Sequence, residues 1–277
     1  MTIRMGHRTT MTTPMFEYDF MRTAFVASGI AAILAGTVGF FLVLRGQTFA
    51  GHALSHAGFT GATGAVLFGF SPLAGLVGFT VMVGVGMGLF GEKLAHRDVA
   101  IGMMLSLALG LGLLFLHFYT AAATQAAALL FGNVLGVDES ALLTLVVLAV
   151  LSLTALAFIG RPLVFASLQP ELADARGVPL RFVAAAFLGI VAVAVAECAQ
   201  IVGVLLVFTL MVGPAAAAMN LTRRLPLAVA LSAGLAAAEA WGGLTLAYYT
   251  DWPTSFWITA LSGMVFFGAA AARRFAE

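Results

Sequence analysis

Gly46-Gln47-Thr48-Phe49-Ala50-Gly51-His52-Ala53-Leu54-Ser55-His56 opens a run, ending at Gly91, that contains no Asp, Glu, Lys or Arg. Such a run exceeds the roughly 20 residues that one membrane-spanning helix uses. It therefore holds two spans, and Ser71-Pro72 supplies the break. The two imidazoles stand four residues apart, which on a helix puts both on one face. Thr60 continues that stripe and Thr63 lies beside it. Polar groups at membrane depth are expensive and face a bundle interior or a watery path. Imidazole nitrogen is also a frequent ligand of transition metals. The stretch reads as the polar lining of a membrane helix bundle, with chemistry suited to a metal ion.

Composition points the same way. The chain is 62% hydrophobic and 9% charged, with mean hydropathy +1.07, where a soluble domain carries about 25% charged residues. The expected fold class is an all-α polytopic membrane bundle. Glycine-rich segments, densest at Gly84-Val85-Gly86-Met87-Gly88, suit close helix packing in lipid. A net charge of +1 offers no footing for nucleic acid. The single cysteine, Cys198, excludes an internal disulfide and a Cys-built zinc cluster, and reads as a small buried residue. No Gly-x-x-x-x-Gly-Lys-Ser/Thr occurs, so the chain has no P-loop ATPase site of its own. His52-Ala53-Leu54-Ser55-His56 has the two-His spacing of a helical metalloprotease, but Ala53 occupies the position of the required general base. No catalytic residue is assigned, and the chain is not expected to be an enzyme.

Apolar runs place spans near 20–44, 51–70, 72–91, 99–119, 140–160, 179–196, 199–218, 226–249 and 255–272. That is nine, or eight if one early segment re-enters. Residues 1–19 form a short tail without the apolar core of a secretory signal, and Met11 and Met15 are alternative starts. Residues 20–272 make one membrane domain with a connection near 165–180, and 273–277 a closing tail. With the amino terminus outside, the inner segments hold every Lys and Arg except Arg4, Arg8 and Arg22, and the four opposite loops hold none. This asymmetry sets the orientation.

Several motifs stand on this frame. In Gln169-Pro170-Glu171-Leu172-Ala173-Asp174-Ala175-Arg176-Gly177-Val178-Pro179, Pro170 suits a first helical turn and Glu171 complements its dipole. Gly177 and Pro179 stop the helix, and Leu172, Ala173 and Ala175 form a small apolar surface. A short helix so bounded, between two spans, suits docking or serves as a connector. Residues 121–131 could form an apolar half-helix on the outer face, ended by Gly132-Asn133 and by Gly136-Val137-Asp138. Val202 to Ala218 is an apolar helix kinked at Pro214. Glu239 lies near the middle of the eighth span, and Glu197 and Gln200 at the junction of the sixth and seventh. Carboxylates at depth are candidates for a metal pathway or for helix–helix hydrogen bonds. His117 reads as interfacial, His96 as solvated, and Tyr248, Tyr249, Trp252 and Trp257 as an aromatic belt.

Taken together, Gly51 to His56, the Pro170–Gly177 loop, the Val202–Ala218 helix, Val43-Leu44-Arg45-Gly46 and Leu130-Phe131-Gly132-Asn133-Val134-Leu135-Gly136 resemble the permease subunits of the zinc/manganese ABC importer family. The resemblance covers roughly 20–270 in the same order. It implies a homodimer of permeases in the bacterial cytoplasmic membrane, among membrane lipids. A separate cytoplasmic ATP-binding subunit would dock on Pro170, Glu171, Ala173 and Gly177, and an extracytoplasmic protein would deliver the metal. The metal pathway it implies takes in His52 and His56, with Glu197 and Glu239 as further polar groups at depth. Zinc, or manganese or iron, would be cargo, with no cofactor permanently bound. The chain departs from the pattern where the family usually has Asp, at His52 and at Gln169; His56 matches. Imidazole in place of carboxylate shifts the donors from oxygen toward nitrogen, favouring zinc over manganese. The competing expectation is a secondary transporter, or a membrane component for another metal-related solute, which would need intramembrane carboxylates as an ion path.

Overall fold

The structure, a computed structural model, describes residues 15–90, 94–118 and 132–276. Among these residues it has ten helices: α1 Asp19–Leu44, α2 Thr48–Leu67, α3 Pro72–Phe90, α4 Leu94–Phe118, α5 Glu139–Leu168, α6 Pro170–Ala175, α7 Leu180–Val202, α8 Val204–Leu221, α9 Leu225–Thr250 and α10 Thr254–Ala276. Single 3-10 turns sit at Met15–Glu17 and Val134–Gly136. Nine helices are long and correspond one to one with the expected spans; α6 is the short connection. The expected half-helix at 121–131 and the side chain of His96 lie outside the described residues.

Seven of the nine are long and apolar enough to cross a membrane by themselves, which makes this a multi-pass membrane protein. The other two are α2 and α8, and both run inside the bundle. Helix α2 packs on α3, α4, α7 and α8, while α8 packs on α1, α9 and α10. Shielded from lipid by their neighbours, these two can afford less hydropathy. Helices α1 and α7 are largely buried, whereas α4, α5 and α10 turn most of their apolar surface outward.

Close approach of backbones explains much of the glycine. Gly61 of α2 and Gly75 of α3 face each other, and a Cβ on either would strike the other's backbone or its neighbours. Gly84 and Gly88 lay one side of α3 on the backbone at Leu188 and Ala185 of α7, while Gly86 faces open space. Small residues at this i, i+4 spacing are how helices approach closely in lipid.

Two helix limits differ from the expectation. Helix α5 does not stop at 160 but continues through Pro162 to Leu168. Proline removes one backbone hydrogen bond, and the buried Leu163 and Ala166 beyond it hold the helix on course. Helix α7 does not break at 197–199 but runs to Val202. The break is at Gly203, whose φ of 87° and ψ of 152° belong to glycine alone. Glu197 and Gln200 therefore lie in the last turns of a helix and not at a junction. Asp138 caps the start of α5. Its carboxylate accepts the Ala141 N–H at 2.7 Å and the Ser140 hydroxyl at 3.0 Å, and the Ala141 N–H chiefly holds that carboxyl below its usual pKa.

The bundle has two distinct ends, marked by α7. At its Leu180 end, a cavity of about 810 Å³ is lined by Arg45, Gln47, Gly88, Ser167, Pro170 and Arg181. It gathers the end of α1, the start of α2 and the ends of α3 and α5 beside α6. At the Val202 end, the Asn133 N–H donates to the Gln200 carbonyl at 3.3 Å, and Asn133, Val202 and Pro253 share a second cavity. The connections thus alternate between ends in the order that the apolar runs imply. Arg45 and Arg181 share an end with α6.

Candidate functional site

Helix α2 starts from a tight corner. Gly46, with φ of 62°, turns the chain, and the N–H groups of Gly46 and Gln47 return to the carbonyls of Val43 and Leu42, both at 2.9 Å. The helix ends in the same way at Gly69, φ 77°, whose N–H bonds Val66 while Phe70 bonds Ala65. Between these ends, most of α2 is buried, and its small residues Gly51, Ala53, Ala57, Gly58 and Gly61 admit neighbours on several sides.

His52 and His56 stand on this helix half-buried, their ring centroids 4.8 Å apart and nearly perpendicular. The ring of His52 also meets the edge or face of Phe208 from α8, at 5.3 Å. Neither imidazole has a hydrogen-bond partner among the described residues. Helix-to-helix hydrogen bonding, the ordinary structural use of such residues, does not employ them here. Among the described residues, their ring nitrogens are therefore without a protein partner.

Thr60 behaves differently. Its hydroxyl is fully buried and donates to the Ala108 carbonyl of α4 at 2.5 Å, and Thr63 bonds carbonyls of its own helix at 3.0 Å. The polar stripe expected from the sequence therefore ends at His56. Thr60 fastens α2 to α4 instead of lining a path.

Glu197 and Glu239 are each 2% exposed, and both oxygens of both carboxylates lack a hydrogen-bond partner among the described residues. The Ser262 hydroxyl stands beside Glu239 without closing a bond. Bare carboxylates at this depth are costly, and neither is used in a helix-to-helix hydrogen bond among the described residues. They do not join the imidazoles, however. No group of three or more His, Cys, Asp or Glu able to hold a metal forms among the described residues. Of the four residues assigned to the pathway, the structure brings together two.

Two nitrogen donors are too few for a closed structural zinc site, which takes four. They suit an ion that keeps part of its water, or takes further ligands in another state, and then leaves. Cys198 takes no part: it is buried, and its thiol donates to the Ala31 carbonyl at 3.3 Å.

At the Leu180 end, Pro170 occupies the first turn of α6 and Glu171 is exposed beside it. The helix closes with Gly177 at φ 77°, its N–H on Asp174 at 2.8 Å and the Val178 N–H on Ala173 at 3.0 Å. Ala173 is fully buried against the bundle, so it seats the helix and does not offer it outward. The exposed face is Pro170, Glu171, Leu172, Asp174 and Ala175, with Arg176 exposed just beyond it.

Comparison with known proteins bears on the chain as a whole. The family model described as the ABC 3 transport family matches residues 17–273. The chain is 28% identical to the manganese transport system membrane protein MntC of Listeria innocua, covering 91% of this chain and 90% of that protein. It is 25% identical to the manganese import system permease protein ScaB of Streptococcus gordonii, with 91% of each covered. Its fold is similar to that of PsaBC from Streptococcus pneumoniae, solved in complex with Fab, with a TM-score of 0.82 at 24% identity over 92% of both chains.

Proposed function

The chain belongs to the ABC 3 transport family, and on that premise we propose that it is the permease of an importer for a divalent transition metal. The observation that carries this reading is the His52–His56 pair, inside the bundle with uncommitted ring nitrogens. The relatives named for manganese support the cargo class. Nitrogen donors tilt the preference toward zinc, since carboxylate and water oxygens suit manganese better; iron falls between them in affinity order. Glu197 and Glu239 are further polar stations for the ion within the membrane.

The chain has no P-loop motif, so the work comes from a separate cytoplasmic ATP-binding subunit. Helix α6 is its docking element, presenting Glu171 and Leu172 from a helix braced by Pro170, Ala173 and Gly177. An extracytoplasmic binding protein delivers the metal at the opposite end, and a second copy of the permease completes the pathway in the bacterial cytoplasmic membrane. The bare carboxylates also suit a secondary transporter driven by an ion gradient, and energy source separates the two readings. The purified chain with its ATP-binding subunit and binding protein, in proteoliposomes, is expected to accumulate zinc and manganese only when ATP is supplied. Accumulation driven by a proton gradient, with ATP making no difference, would overturn the ABC reading.

A further inference from the structure

Arg45 closes α1 at the corner before the histidine helix, half-buried beside the large cavity. Its Nε–H donates to Oε1 of Gln47 at 3.2 Å, and its Nη1 donates to the Ser167 hydroxyl at 3.3 Å. Ser167 in turn donates to the Leu163 carbonyl at 2.5 Å. The guanidinium carbon lies 5.7 Å from the ring centroid of Phe187. Each contact belongs to a different element. Gln47 is the residue from which α2 begins, and it is buried. Ser167 lies in the last turn of α5, two residues before Gln169, which ends α5 and starts α6. Phe187 is in the core of α7.

We infer that Arg45 is a positioning residue that ties the docking helix α6 to the first turn of α2, and thereby to His52 and His56. Helix α6 packs on α5 and α7, whereas α2 packs chiefly on α3, α4, α7 and α8. Both helices thus share α7 as a neighbour, and the guanidinium adds a polar side-chain link from the start of α2 to the end of α5 from which α6 begins. From Gln47 to His52 is little more than one helical turn, so a displacement of Gln47 moves the first imidazole with it. The link borders a cavity instead of close-packed core, where a shift of α6 meets less resistance from neighbouring side chains. A planar fork is required, because Nε and Nη1 hold two acceptors on two helices at fixed geometry; an ammonium cannot reproduce that. Without it, the buried Gln47 amide loses its partner.

The inference rests on the reading of the chain as an ATP-driven permease, and its test separates the two. ATP hydrolysis and metal uptake are measured in the same proteoliposomes, containing chain, ATP-binding subunit and binding protein, for wild type, Arg45→Lys, Ser167→Ala and the double variant. Wild type without ATP-dependent uptake would sink the permease reading itself. With wild type active, Arg45→Lys should hydrolyse ATP near the normal rate while metal carried per ATP falls about tenfold. Ser167→Ala should lower the same ratio less, and adding it to Arg45→Lys should change nothing further, since both break one link. A normal ratio in Arg45→Lys, additive effects, or a parallel fall of hydrolysis and uptake would overturn the link. Should Arg45→Lys fail to insert, Ser167→Ala decides: an unchanged ratio there would overturn it equally.

Discussion

His52 and His56 were legible because spacing alone puts two imidazoles on one helical face, and charge-free surroundings put that face inside a membrane. Sequence could not show that the face ends at His56, because whether a hydroxyl is spent depends on a carbonyl 48 residues away on α4. Nor could it show that Glu197 and Glu239 stand apart from the pair: residues at similar depth in different helices have no distance until the helices are packed. Metal preference belongs to this scale. His52→Asp replaces a nitrogen donor with an oxygen donor, and the ratio of manganese to zinc uptake should rise by about an order of magnitude. An unchanged ratio in competition uptake would show that His52 does not touch the ion.

Glycine limits most of the elements near the site. Gly46, Gly69 and Gly177 all take positive φ and close their helices with the same pair of backbone bonds. Gly177 could be read beforehand because Pro179 follows it; Gly69 was hidden next to Ser71-Pro72, the more conspicuous stop. Nothing contacts the position of a Cβ at Gly177, so a substitution there tests backbone conformation alone. Gly177→Val should cost about 1–2 kcal/mol of local stability and cut stimulation of the ATP-binding subunit several-fold at normal membrane levels. Gly177→Asn, which tolerates the left-handed region, should retain most of it. Equal activity in the two would make the loop a mere connector.

The cap on α5 carries a pH prediction. Because folding lowers the Asp138 pKa, the cap stabilises the fold above the ordinary carboxylate pKa and is lost as pH falls through the depressed one. Asp138→Ala should therefore lower the melting temperature in detergent at neutral pH, and the difference from wild type should shrink on acidification. A gap that widened toward acid would have the wrong sign. Helix α5 also shows why a proline misleads: Pro162 stands where charge and ring both suggest a stop, yet burial of Leu163 and Ala166 outweighs one lost hydrogen bond.

At the scale of the molecule, nine long helices were legible because hydropathy and turn residues report spans directly. The interior placement of α2 and α8 was not, since it depends on which helices enclose which. The two ends follow from connectivity, and the positive residues orient them. In a Cys198→Ala background, Glu139→Cys should react with a membrane-impermeant thiol reagent in intact cells, and Ala175→Cys only after the membrane is opened. The reverse pattern would invert the bundle and remove α6 from the ATP-binding subunit.

If metal passes the imidazole pair, transport must depend on it, and uptake by the His52→Ala/His56→Ala double variant is the decisive measurement. In proteoliposomes with both partners, the double variant should assemble and hydrolyse ATP while transporting zinc and manganese at less than about a tenth of the wild-type rate. Transport at the wild-type rate by that intact assembly would show that metal does not pass between His52 and His56.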